Sequence, residues 1–262
     1  MTEPDRGYHD IRHGATAYSA VVGTFGAIAV PAIILVFTTP VPHVANAPTL
    51  ATFATALLVA GMFGSLLGAV ALAYLGAERD PIAGLAPAIV YAAVPVVVSL
   101  SCIVGAFEVL AALFQPSVKT LFSMVVAAGS LFGVVYTCFA VVHSVKLGPT
   151  GETRGAWLEA QQIREHAGAV KAAWLLGGVT ITPVLLAMAL RLAGAHLRPT
   201  PSIITLDVLI ALALIATGPL LAILRTVPSR TPEEQRGLRL HEMYTADFAI
   251  SGFTLLLLFT LP

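Results

Sequence analysis

Two carboxylic acids, Glu108 and Asp207, stand inside long apolar runs. If those runs cross a bilayer, each acid lies one to two helical turns below a membrane surface. An ionisable group at such a place is a candidate for a substrate or ion pathway. Exposing it to lipid costs about 2.5–3.5 kcal/mol or more at mid-bilayer. The shallow placement lowers that cost. Pairing with Arg191 or Lys119, or contact with interfacial water, accounts for both acids more simply, and we expect it. The centres of the apolar runs hold no Asp, Glu, Lys or Arg. That argues against a proton pump with a buried carboxylate relay, and against a voltage sensor.

A second group of candidates comes from helix breakers. Pro31, Pro183 and the Gly218-Pro219 pair lie within apolar runs. A proline there frees a backbone carbonyl, which must find a partner in protein or in a wet cavity. Interrupted spans at matching places in two halves point to a transporter site. Thr180 and Thr182 beside Pro183, and Thr217 beside Gly218, could supply hydroxyls. The plainer account is that threonines re-satisfy the backbone of an ordinary membrane helix.

Histidines form the third group. His9 and His13 are four apart and share a helix face, with Asp10 between them. That is half of a metal site. Membrane hydroxylases and desaturases use several such pairs, and this chain has one. The order His-Asp-x-x-His also departs from the zinc-protease pattern, which wants glutamate. We expect solvated or interfacial histidines here, and leave any cofactor open. No nucleophile elbow, phosphate loop, haem-attachment motif or nucleic-acid-binding pattern is present; a non-catalytic role is favoured over an enzyme, which stays open, and no nucleic-acid partner is expected.

The elements that must position these groups follow from composition. Of 262 residues, 57% are hydrophobic and only 11% charged. A soluble domain carries about 25% charged residues, so this chain could not cover a water-facing surface. The expected fold is all-α, a single membrane domain built as a polytopic transmembrane bundle. Its seven spans are predicted at 17–37, 51–75, 85–113, 121–145, 169–190, 203–224 and 244–262. Cys102 and Cys138 both lie in apolar runs and are expected to pack rather than to bridge. Gly64/Gly68 and Gly129/Gly133 have the small-xxx-small spacing that allows close helix contact, within the chain or in a homo-oligomer.

Basic residues set the orientation. With the N-terminus inside, the inner segments hold eleven Lys and Arg and the outer ones three: Lys119, Arg191 and Arg198. That is a positive-inside bias, with the C-terminus outside. The histidines at 9, 13, 143, 166 and 241 then fall on the inner side. The order of spans is opposite to that of rhodopsins, and the last span has no lysine for a retinal Schiff base.

Residues 11–35 and 163–187 align without a gap. Ile11-Arg12 matches Ile163-Arg164, and Ala15, Ala17, Ala20, Gly26 and Pro31 match Ala167, Ala169, Ala172, Gly178 and Pro183. This suggests a parallel 3+1+3 repeat with units 11–113 and 163–262 and the fourth span as connector. Three functional classes follow for a multi-pass protein of a bacterial cytoplasmic membrane. The first is a passive or facilitated transporter of a small neutral solute. The second is a non-catalytic subunit or scaffold that binds a membrane-protein partner. A metal-dependent membrane enzyme built on the inner histidines comes last.

Overall fold

A computed structural model describes residues 11–40, 47–77, 85–146, 156–195, 197, 199–226 and 240–262. Those residues are almost all helical and contain no strand. The helices are α1 (Ile11–Thr38), α2 (Ala47–Ala77), α3 (Leu85–Phe114), α4 (Lys119–Lys146), α5 (Ala156–Leu192), α6 (Pro201–Thr226) and α7 (Leu240–Thr260). A 3-10 turn, Pro116–Val118, joins α3 to α4. Five stretches are long and apolar enough to cross a membrane: Ala15–Thr38, Ala47–Ala77, Ala88–Phe114, Pro116–Val135 and Pro201–Leu224. Shorter apolar helices run over Gly177–Leu192 and Tyr244–Thr260.

Each predicted span corresponds to a helix, and the largest difference is in α5. The segment expected as a polar loop before it is helical from Ala156 and continuous with the apolar run, giving one helix of 37 residues. Local chemistry explains the ends near the candidate residues. After Leu192 the chain turns at Gly194, whose φ of +91° suits a residue without a Cβ. Gly194 N–H donates to the Arg191 carbonyl and Ala195 N–H to that of Leu190, both at 2.9 Å, closing α5 with a Schellman-type stop. α6 then starts with Pro201 in its first turn, and Thr200 Oγ1 accepts the Ile203 N–H at 3.4 Å.

α3 is the hub. It packs against α2, α4, α6 and α7, whereas α1 leans mainly on α2 at the edge. Accordingly 67% of the α3 span is buried and only 17% of that of α1. The glycine pairs serve these internal contacts. A Cβ on Gly64 would lie 2.7 Å from Ser99 Cβ on α3 and 2.9 Å from Ile215 on α6. One on Gly68 would lie 2.8 Å from Val96, and one on Gly133 2.6 Å from Val97. Both pairs therefore bring α2 and α4 close to α3.

The two halves related by sequence pack differently. α1 lies along α2, but α5 and α6 make no contact among the described residues. Gly26 sits against Ser65 of α2, whereas its counterpart Gly178 has open space around it. α1, α5 and α6 run through Pro31, Pro183 and Pro219 without a break in the helix. The expected interruptions are therefore absent.

Candidate functional site

The C-terminal ends of α3, α5 and α7 meet the N-terminal ends of α4 and α6, and the polar core groups gather there. The Schellman stop leaves Arg191 in the last turn of α5, facing inward. Its Nη2 pairs with Glu108 Oε1 of α3, and its Nε donates to Ser123 Oγ of α4 at 2.9 Å. Ser123 in turn donates to Glu108 Oε1 at 2.5 Å. Nη1 donates to the carbonyls of Leu258 and Leu261 at 2.5 and 2.7 Å, and Nη2 to the main-chain oxygen of Pro262 at 2.8 Å. One guanidinium thus joins four helices and supplies donors to the last turn of α7, whose carbonyls have no partner within the helix. The Leu197 N–H, which donates to the Phe259 carbonyl at 2.7 Å, ties the following loop to the same turn. This clasp is almost dry: the side chains of Arg191 and Glu108 are 9% and 0% exposed. Glu108 Oε2 has no hydrogen-bond partner.

Glu108 therefore pairs with Arg191, as expected. Asp207 does not. It is wholly buried in α6, and both of its carboxylate oxygens lack a hydrogen-bond partner. Thr260 of α7 lies beside it, but the threonine hydroxyl donates to the Leu257 carbonyl at 3.1 Å. Cys102 of α3, buried and not in a disulfide, lies close enough to Asp207 to feel its charge.

The candidates around the prolines are scattered. Thr180 is buried and donates to the Gly177 carbonyl at 3.3 Å within its own helix. Thr182 is exposed and donates to the Gly178 carbonyl at 2.7 Å. With Pro183, Trp174, Leu175, Gly178 and Val179 it lines a shallow groove on the outside of α5. Gly218 and Pro219 are buried. Gly218 packs against Pro95 and the Tyr91 carbonyl of α3, so that pair is a helix contact. Because Thr182 turns to its own helix on an exposed face, Thr182→Val should change stability by no more than about 0.5 kcal/mol. Thermal unfolding in detergent measures this. His9 lies outside the described residues, as do the side chains of His13, His143, His166, His241 and Cys138. The described residues contain no group of three or more metal-ligating side chains.

Packing also exposes residues that sequence reasoning passed over. Ser123 and Ser130 are seven apart and share a face of α4. Asp247, Ser251, Thr254 and Leu258 share a face of α7 at steps of four, three and four, and their side chains are all buried. α4 and α7 pack together, one starting and the other ending at the clasp. Ser130 Oγ and Thr254 Oγ1 form a short hydrogen bond between them. Thr254 also donates to the Ile250 carbonyl at 2.9 Å, which leaves Ser130 as donor to Thr254. Ser251 Oγ has no hydrogen-bond partner. The Ser130–Thr254 hydrogen bond crosses the α4–α7 contact below the clasp, and the buried face of α7 carries this polar seam on to Ser251 and Asp247. From Leu258 to Asp247 it spans about 16 Å, roughly half a hydrocarbon core. The helical spacing of Asp247, Ser251 and Thr254 in an otherwise apolar run was the available signal.

No protein-family model, curated protein or solved structure matches the chain. The class that fold and composition define is an all-helical protein whose long apolar helices fit a membrane.

Proposed function

We propose that the chain is a facilitated transporter of a small neutral polar solute, seen with its passage closed. The carrying observation is the buried polar seam between α4 and α7, capped at one end by the Arg191–Glu108–Ser123 clasp. Hydroxyl pairs can exchange hydrogen bonds with a neutral solute at little net cost, whereas a charged solute would need compensation along the stretch between the clasp and Asp247, where the seam offers only hydroxyls. In this reading all seven helices span a bacterial cytoplasmic membrane. The N-terminus is inside, following the basic residues, and the clasp lies at the outer face.

The experiment is solute-driven swelling of proteoliposomes, using urea, glycerol and larger polyols as probes. Flux above that of empty liposomes is expected for at least one of them. Ser130→Val with Thr254→Val should reduce it about tenfold, the effect of losing one hydrogen bond of about 1.4 kcal/mol along the path. If no probe passes faster than through protein-free vesicles, the reading fails. A non-catalytic subunit is the second reading, favoured by the groove on α5, where Trp174 is 80% exposed. In that case a partner should co-purify from native membranes and Trp174→Ala should release it.

A further inference from the structure

The clasp uses Glu108 and leaves Asp207 alone. Asp207 is the seventh residue of α6, about 9 Å along the helix from the clasp end. α2, α3 and α7 pack against α6. From α3 the titratable group close enough to feel its charge is Cys102, and from α7 the Thr260 hydroxyl lies beside it, already committed to a carbonyl. α2 carries no Asp, Glu, His, Lys, Arg or Cys. Glu108 lies six residues further along α3 and is bound to Arg191. Glu242 and Asp247 are near the opposite end of α7, about 20 Å or more from Thr260 along the helix. No cation therefore answers Asp207 among the described residues. A bare carboxylate with two unpartnered oxygens in that apolar setting is the form the site suits least, and the neutral acid is the form it can hold.

We propose that Asp207 is a proton-binding site that holds the bundle closed and releases its proton when α6 parts from α3 and α7. The ligand is a single proton taken from and returned to water, so the step makes and breaks one O–H bond and needs no other reactant. The coupling half of the proposal rests on the transport reading; the binding half does not. The sign follows from linkage. The closed arrangement binds the proton more tightly than an opened one in which water reaches the carboxylate. Low pH therefore favours the closed form and rising pH the open one. Cys102 is the other titratable group close to this acid, and a Cys102→Ala background removes it from the pH profile.

Two measurements test this. Infrared spectra of the protein in lipid at about pH 5, where an ordinary aspartate is ionised, should show a protonated-carboxyl stretch that shifts in deuterium oxide. It should move on isotopic labelling of the aspartate carboxyl carbon, which needs no substitution. It should vanish in Asp207→Asn and persist in Asp247→Asn. If the aspartate signal assigned to residue 207 is that of an ionised carboxylate at about pH 5, the proposal is overturned. Solute flux should rise with pH by at most about tenfold per unit, the limit for one proton. In Asp207→Asn, a neutral isostere of the acid, it should be low and flat. Wild-type flux that ignores pH overturns the coupling. A protonated Asp207 in a protein that passes no solute at all upholds the binding site while sinking the transport reading alone.

Discussion

Arg191→Ala should be the most destabilising single change in the clasp, by about 3–5 kcal/mol. The substitution removes one side chain but strands many groups. Glu108, wholly buried, loses its counter-ion and is left as an unpaired acid in a dry site. The main-chain oxygens of Leu258, Leu261 and Pro262 lose their donor together. Screening offers little relief, because the arginine side chain is only 9% exposed. For a chain of this size the loss corresponds to a fall in Tm on the order of 10 °C, readable by thermal unfolding in mild detergent. Arg191→Lys should recover only part of it. An ammonium is a point charge and cannot reproduce the planar fork that reaches Glu108, Ser123 and the end of α7 at once. Arg191→Met with Glu108→Leu should be closer to wild type than Arg191→Ala, since replacing a buried ion pair by apolar groups is often neutral or better. An unchanged Tm in Arg191→Ala would mean that the clasp does not hold the helix ends.

Gly218→Ala should be the more damaging of two otherwise similar glycine substitutions. A Cβ at Gly218 would lie 2.6 Å from Pro95 Cδ and 2.9 Å from the Tyr91 carbonyl oxygen. A proline ring and a backbone carbonyl cannot swing aside as a flexible side chain can. α6 must therefore back away from α3, at a cost of about 1–3 kcal/mol. Gly178→Ala provides the contrast. Nothing lies within 4 Å of its Cβ position, and alanine favours a helix over glycine by about 1 kcal/mol. The same chemical change should thus lower stability at one site and leave or raise it at the other. Equal shifts in Tm for the two variants would contradict the close approach of α3 and α6.

The positions of the helices were legible because apolar length marks them directly. Arg191 and Glu108 could be matched because both fall near the same end of the bundle. What pairs them, however, is the stop at Gly194, which fixes where α5 ends. The isolation of Asp207 was hidden. α6 is apolar nearly all round, so no stripe shows which face turns to α3 and α7. At the prolines the plainer reading is the one the structure fits. Thr182 and Thr217 bond to carbonyls one turn back, Gly178 and Ala213, and the helices continue. The seam went unnoticed because its hydroxyls come from two helices more than a hundred residues apart, and only their packing joins them.

The uninterrupted course of α5 has a mechanical consequence. At 37 residues it is about 55 Å long, while a bilayer with its headgroups is about 40–45 Å thick. In the proposed seven-span arrangement an untilted α5 would stand clear of the lipid at one end, and the polar residues 156–168 make that the starting end. Arg191 sits at the far tip of this rod. In that arrangement whatever tilts the stem would also lever the guanidinium, linking the aqueous phase on one side to the latch on the other through a single rigid rod.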